Sequence, residues 1–237
     1  MVRRAALIGD VHAEDRALAA VLAHLDTLPN LDAVLCTGDV VTGPGDAARC
    51  VALLRERGVY TVRGNHDRWF VRDENRKRGW GYTSLPHATE YHEVTGDDRA
   101  WLAALPPTRD FDTPLGPLLL CHGTGTDDMT GVYPGDGEAA LAANHQLVRL
   151  HAEEHYRVLI NGHTHKRMLR RLDHLTLVNP GTLKRGPDAR PGFLVADFAA
   201  GTLAVFDLDH ESLTITAGAT HALPPSAETP ARPAEDT

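Results

Sequence analysis

Five short apolar runs in this chain each stop where metal-binding side chains begin. Residues 5–8 precede Asp10-Val11-His12, 33–36 precede Gly38-Asp39, 59–62 precede Gly64-Asn65-His66-Asp67, 118–121 precede His122-Gly123, and 158–160 precede Gly162-His163-Thr164-His165. The runs are strand-sized and most are separated by helix-sized intervals. The carboxylates, imidazoles and amide are therefore expected to gather at the same ends of neighbouring strands.

The intervals support this reading. Over residues 14–26, Leu18, Val21, Leu22 and Leu25 share one helical face, and Glu14 and Asp15 stand in the opening turn, where the helix dipole favours acids. A second helix is predicted over 46–57. This β-α-β-α-β order implies right-handed crossovers, a largely parallel sheet and ligands beyond the carboxyl ends of its strands. Residues 97–105 read as a short helix ended by Pro106-Pro107, and 138–154 as a longer one. The charged and aromatic stretch 68–99 reads as a partly helical insertion over the site. After His165, short strands at 166–172, 175–178, 193–197 and 203–206 lie between turn signals and suggest an antiparallel second sheet. One domain over 1–221 is expected, followed by a Pro-rich, disordered tail at 222–237.

The net charge of −8 speaks against duplex nucleic-acid binding by phosphate neutralisation alone, so nucleic acid is not an expected partner. It leaves room for a small anionic substrate, because two divalent cations reverse the sign of a cleft locally. No apolar stretch approaches the roughly 18 residues of a membrane span. Met1 and two arginines lead directly into Ala5 to Asp10, too short and too quickly acidic for a signal peptide, so a cytoplasmic location is expected. The three cysteines have no C-x-x-C spacing and offer neither a disulfide framework nor a thiolate metal site. A homo-oligomer is compatible with the composition.

Ligands one residue apart, Asp10 with His12 and His163 with His165, point the same way if the backbone is extended, since side chains alternate along a strand. Oxygen and imidazole donors without thiolate suit manganese, iron or zinc. Any one of these segments is commonplace. The ordered set, each at a predicted strand end, reads as a two-metal hydrolase site.

The pattern D-x-H, G-D, G-N-H-[DE], H and G-H-x-H closely resembles the calcineurin-like metallophosphoesterases. Residues 38–44, 62–67 and Asn179-Pro180-Gly181-Thr182 further resemble the small bacterial and archaeal phosphodiesterases related to diadenosine tetraphosphatases. The resemblance implies an α/β fold, a four-layer α/β/β/α sandwich of two mixed sheets flanked by helices. It implies two divalent metal ions, with manganese the first expectation. Asp10, His12, Asp39 and His165 would hold one, and Asp39, Asn65, His122 and His163 the other. His66 would act on the transition state or protonate the leaving oxygen, with Asp67 orienting its ring. Arg68, Lys184 and Arg185 are candidate phosphate contacts. The implied activity is hydrolysis of a small phosphate ester, a nucleotide-like diester before a monoester. An Mre11-like nuclease would want a capping domain and a basic path, and a non-catalytic scaffold commonly lacks a counterpart of His66. The stretch 123–129 departs from the family's usual sequence after the histidine and bears on substrate choice.

Overall fold

The computed structural model describes residues 1–72, 94–186 and 189–223. In chain order its strands are β1 (Arg4–Ile8), β2 (Ala33–Cys36), β3 (Tyr60–Thr61), β4 (Thr108–Thr113), β5 (Gly116–Cys121), β6 (Val158–Ile160), β7 (Met168–Leu172), β8 (Leu175–Asn179), β9 (Gly192–Asp197), β10 (Thr202–Leu208) and β11 (Ile215–Ala222). Its helices are α1 (Asp15–Leu25), α2 (Ala47–Glu56), α3 (Asn65–Arg72), α4 (Gly96–Ala104), α5 (Glu138–Ala143) and α6 (His145–Ala152).

Strand alternation divides the apolar residues among three cores. In β1, Ala6 and Ile8 face α1 and α2, joining Leu18, Val21, Val51 and Leu54, while Ala5 and Leu7 face the other sheet. Opposite them lie Leu118 and Leu120 of β5, Val158 and Ile160 of β6, and Val178 of β8. The remaining face of that second sheet, with Leu119, Leu159, Leu175 and Leu177, packs on Leu147 and Leu150 of α6. Each fully buried leucine contributes roughly 1.5–3 kcal/mol. The result is helix, sheet, sheet, helix, the expected four-layer sandwich.

The first sheet has six strands in the order β11-β10-β9-β1-β2-β3, and the second has five in the order β4-β5-β6-β8-β7. Both are mixed. β1, β2 and β3 are parallel, as are β5, β6 and β8. Every parallel strand of the two sheets ends toward the same region, which places the loops that follow them side by side.

Three expectations need correction. The strands after His165 do not form a separate antiparallel sheet: β7 and β8 complete the sheet of β4 to β6, while β9 crosses to pair antiparallel with β1. The helix expected over 138–154 is two, because Asn144 leaves the helical conformation and caps α6 through its Oδ1, 3.0 Å from the Leu147 amide. Strands β4 and β11 were not anticipated. β11 reaches Ala222, and Leu223 is buried with its amide on the Gly201 carbonyl. The stretch expected to be disordered otherwise falls at 224–237, outside the described residues, as does most of the insertion expected over 68–99.

Candidate metal centre

Asp10 follows β1, Asp39 follows β2, Asn65 opens α3 beyond β3, His122 follows β5, and His163 and His165 follow β6. The backbone there is not extended. His12, Asp39, His163 and His165 have φ of 48°, 48°, 66° and 57°, all left-handed. Ligands one residue apart therefore converge through tight turns, and the expectation of extended pairs is wrong at His12, His163 and His165. Two of these turns are sewn together, since the Val11 and His12 amides both donate to the Asp39 carbonyl, at 3.1 and 2.8 Å. Gly64 lets the Asn65 segment close on Asp39: a Cβ there would lie 2.1 Å from Asp39 Oδ1.

The donor atoms fall into two overlapping sets. In Asp10, His12, Asp39 and His165 they lie within 4.8 Å of one another, a group able to hold a metal ion. Beside it, Asn65 Oδ1 is 2.9 Å from His122 Nε2 and 3.0 Å from His163 Nδ1. Asp39 Oδ2 stands between the sets, 3.7 Å from His12 Nε2 and 3.4 Å from His122 Nε2.

Hydrogen bonds aim the imidazoles. His12 Nδ1 donates to the Thr42 carbonyl at 2.9 Å and His122 Nδ1 to the Thr37 carbonyl at 2.8 Å, and because a carbonyl only accepts, each ring turns Nε2 inward. Burial pushes His12 down to about 3 and His165 down to about 4, with the Lys184 ammonium adding to the latter, so both rings are neutral donors. Burial lowers His163 as well.

The centre is short of positive charge. Asp10, Asp39 and Asp67 are all buried. Burial together with Asp39 pushes Asp10 up to about 7 and Asp67 up to about 6. Burial works against a charge on His122, yet Asp39 and Asp10 outweigh it and push the ring up to about 10. Burial also opposes the Asp39 charge, but His122, His66 and His12 hold it well below the ordinary carboxylate range. Asp10 Oδ2 accepts no hydrogen bond, although His165 Nε2 lies 3.2 Å away. Buried carboxylates that recruit protons, neutral imidazoles aimed at them and an orphaned carboxylate oxygen fit divalent cations.

The His66 ring lies between His12 and Trp69, with centroids 5.0 and 4.9 Å away. Asp67 does not orient it. The Asp67 carboxylate instead accepts from the backbone amides of Val40, Val41 and Gly64 at 2.8, 3.3 and 2.9 Å, bracing the two ligand loops against each other. Arg68 is turned to Asp128, with Nε 2.7 Å from Oδ2 and Nη2 3.0 Å from Oδ1. Arg185 forks onto buried Glu14 through Nε at 3.0 Å and Nη2 at 2.8 Å. Lys184 is exposed. Trp69 and Phe70 are buried rather than at the rim, and Trp80 and Tyr82 lie outside the described residues.

Sequence reasoning missed the groups that hold the ligands. Thr37 Oγ1 donates to Asp10 Oδ1 at 3.1 Å, Thr182 Oγ1 to the Asp10 carbonyl at 2.7 Å, and Asn179 Nδ2 to the Gly162 carbonyl at 2.8 Å. The Asn-Pro-Gly-Thr turn was the visible sign of the last two. Burial disfavours the thiolate of all three cysteines, pushing Cys36 and Cys121 up to about 12 and Cys50 well above its ordinary value.

Residues 4–201 match the family described as the calcineurin-like phosphoesterase superfamily domain. No curated protein sequence matches the chain. Among solved structures it is similar to a metallophosphoesterase from Sphaerobacter thermophilus, at 21% identity and a TM-score of 0.60 over 83% of this chain and 84% of that one. A hypothetical protein from Pyrococcus horikoshii OT3 superposes with a TM-score of 0.65 at 15% identity, over 93% and 87% of the two chains. Yfce, a phosphoesterase from E. coli, does so at 0.54 and 17%, over 93% and 100%. These likenesses concern the fold.

Proposed function

Because the chain belongs to the calcineurin-like phosphoesterase superfamily, we propose that it hydrolyses phosphodiesters of nucleotide-like substrates, with cyclic nucleotides or dinucleoside polyphosphates as the natural class. The observation that supports two-metal phosphoester hydrolysis, without deciding between diester and monoester, is the Asp39 carboxylate oxygen standing between two donor sets, 3.7 Å from His12 Nε2 and 3.4 Å from His122 Nε2.

Asp10, His12, Asp39 and His165 would hold one divalent cation, and Asp39, Asn65, His122 and His163 the other; the donors suit manganese, iron or zinc, and manganese is taken first from the family resemblance. When bound, the two ions would neutralise charge on the phosphoryl oxygens and make water nucleophilic near neutral pH. The protein residues supply the rest. Asn65 donates an uncharged amide oxygen, which limits the negative charge facing the substrate. His66, beside His12, would carry the proton that the leaving oxygen takes up. Lys184, exposed beyond the Asn-Pro-Gly-Thr turn, remains a free-standing candidate for a phosphate oxygen. Arg68 and Arg185 are assigned to bracing, since Asp128 and Glu14 engage their guanidinium groups.

The test is a panel of metals and substrates on purified protein. Manganese-loaded protein should hydrolyse bis-nitrophenyl phosphate with a higher kcat/KM than mono-nitrophenyl phosphate. The reverse order would make it a monoesterase, and efficient degradation of long DNA would make it a nuclease. Asp39→Ala should lose both ions and all turnover; two tightly held metals in that variant would sink the assignment.

A further inference from the structure

The loop 123–134 is fixed to the metal centre on three sides. It starts directly after His122. Its Asp128 holds Arg68, two residues beyond His66 on α3, through two hydrogen bonds at 2.7 and 3.0 Å. Its Gly131 lies against the third segment so closely that a Cβ there would be 2.5 Å from Thr164 Cγ2 and 3.2 Å from His163 Cδ2.

The loop is also stiff within itself. Asp127 Oδ1 accepts from the Met129 and Thr130 amides at 2.8 and 3.2 Å, and Asp127 Oδ2 from the Thr130 hydroxyl at 2.7 Å. The Thr124 hydroxyl donates to the Thr130 carbonyl at 2.9 Å and accepts from Asn144 Nδ2 at 3.0 Å. Such polar scaffolding leaves little reason for apolar side chains to face water. Yet Met129 is 47% exposed and Tyr133 49%, while Val132 between the two anchored stretches is buried. One exposed apolar side chain is unremarked on any surface. Two of the five large exposed apolar side chains among the described residues, on one braced loop bounded by three ligand-bearing segments, are a different matter.

We infer that Met129 and Tyr133 form a preorganised apolar rim that takes the flat aromatic part of the substrate, such as a nucleobase or aryl leaving group, while the phosphate meets the metal centre. A thioether and a phenol ring suit such a partner, the sulfur by contact at a ring edge and the tyrosine by stacking. A rigid loop holds both side chains in place before binding, so little conformational freedom is lost when the ring arrives. This inference rests on the phosphodiesterase reading for the identity of the phosphate.

Binding of two phosphonates to the full, manganese-loaded protein separates the two ideas. Phenylphosphonate and methylphosphonate carry the same head group on a carbon bond that is not hydrolysed, and differ in the ring. By calorimetry the wild type should prefer the phenyl compound. Tyr133→Ala and Met129→Ala should each weaken phenylphosphonate roughly 2- to 13-fold, the range of an aromatic pair, and leave methylphosphonate within about twofold. Tyr133→Phe should retain the preference, because the ring rather than the hydroxyl makes the contact. Both positions are exposed, so melting temperatures should not move. Parallel weakening of both phosphonates, an unmoved phenyl preference in both alanine variants, or failure of the wild type to bind either compound would overturn the inference. A Tyr133-dependent preference in a protein that cleaves no phosphodiester would keep the rim and refute the proposed function; diester cleavage with an unmoved preference would do the opposite.

Discussion

Gly64→Ala tests whether the close approach of two loops, and not the ligand residues alone, makes the centre. The added Cβ would lie 2.1 Å from Asp39 Oδ1 and 2.4 Å from Asp39 N. Ordinary contact begins near 3.4 Å, so the Asp39 carboxylate must retreat by about 1.3 Å or the Asn65 loop must lift by as much. Either movement separates Asp39 from Asn65, and the bond from the His66 amide to Asp39 Oδ1, now 2.9 Å, is lost with it. A misplacement of about 1 Å is enough to lower turnover about 10²-fold. Forcing a methyl into a packed interior costs about 1–3 kcal/mol, which for a chain of this size lowers Tm by roughly 2–12 °C. Gly58→Ala is the control. Gly58 has φ of +60° with nothing within 4 Å of a new Cβ, so it suffers only left-handed strain of roughly 1–2 kcal/mol. Elemental analysis after dialysis, thermal melting and turnover in excess manganese should show comparable instability in both variants but metal and activity loss only in Gly64→Ala. A Gly64→Ala protein that holds two ions and turns over within threefold of wild type would refute the argument.

Three further outcomes are expected. His66→Ala should keep its metals and lose about 10²–10⁴-fold in turnover, with a smaller loss for nitrophenyl than for alkyl leaving groups; equal losses would leave His66 a purely electrostatic part. Chelator-stripped protein should lose stability between pH 7 and pH 10. The His122 value, raised to about 10, contributes stability that is fully present below the unfolded value and is lost as pH rises through the folded one. Metal-loaded protein, with that ring held as a neutral ligand, should not show this loss, and parallel melting curves for the two forms would contradict the charge argument. Arg185→Ala should destabilise the protein by about 1–2 kcal/mol in urea, because the buried Glu14 carboxylate loses the guanidinium and is left with the residue-185 amide, 3.3 Å away. Arg185→Ala combined with Glu14→Leu should recover most of that loss, and a double variant weaker than the single one would show that Glu14 has another task.

What the sequence made legible was set by period and by residue type. Strand alternation in β1 and the one-sided leucines of α1 are visible because burial on two faces or one writes itself into spacing. The candidate ligands are visible because few side chains bind metals. Partner choice among strands was not legible: 193–197 looks like any hairpin strand, yet beside β1 it buries both faces, Leu194 and Ala196 in the inter-sheet core and Phe193 and Val195 in the helix-side core. The break at Asn144 was hidden because the apolar spacing resumes at Leu147.

The left-handed turns were the deepest omission, and they change how the centre should be understood. Non-glycine residues in that region cost roughly 1–3 kcal/mol each and persist only where the surroundings enforce them. Here four candidate ligands adopt it. The enforcement is protein-made: the Asp39 carbonyl receives two amides from the His12 turn, the Ala13 amide donates to the Val40 carbonyl at 2.9 Å, and the His163 amide donates to Asp10 Oδ1 at 3.2 Å. Asp67, fully buried, then fastens the Val40 and Gly64 segments to each other. None of these bonds requires an ion. The strain is therefore held by hydrogen bonds of the fold itself, and we predict that cations would fill a centre already shaped for them instead of folding it. Stripped protein should accordingly still melt in one cooperative transition, at a lower temperature than the loaded form, as ligand linkage requires; loss of cooperativity on chelation would place the ions among the elements that build the fold.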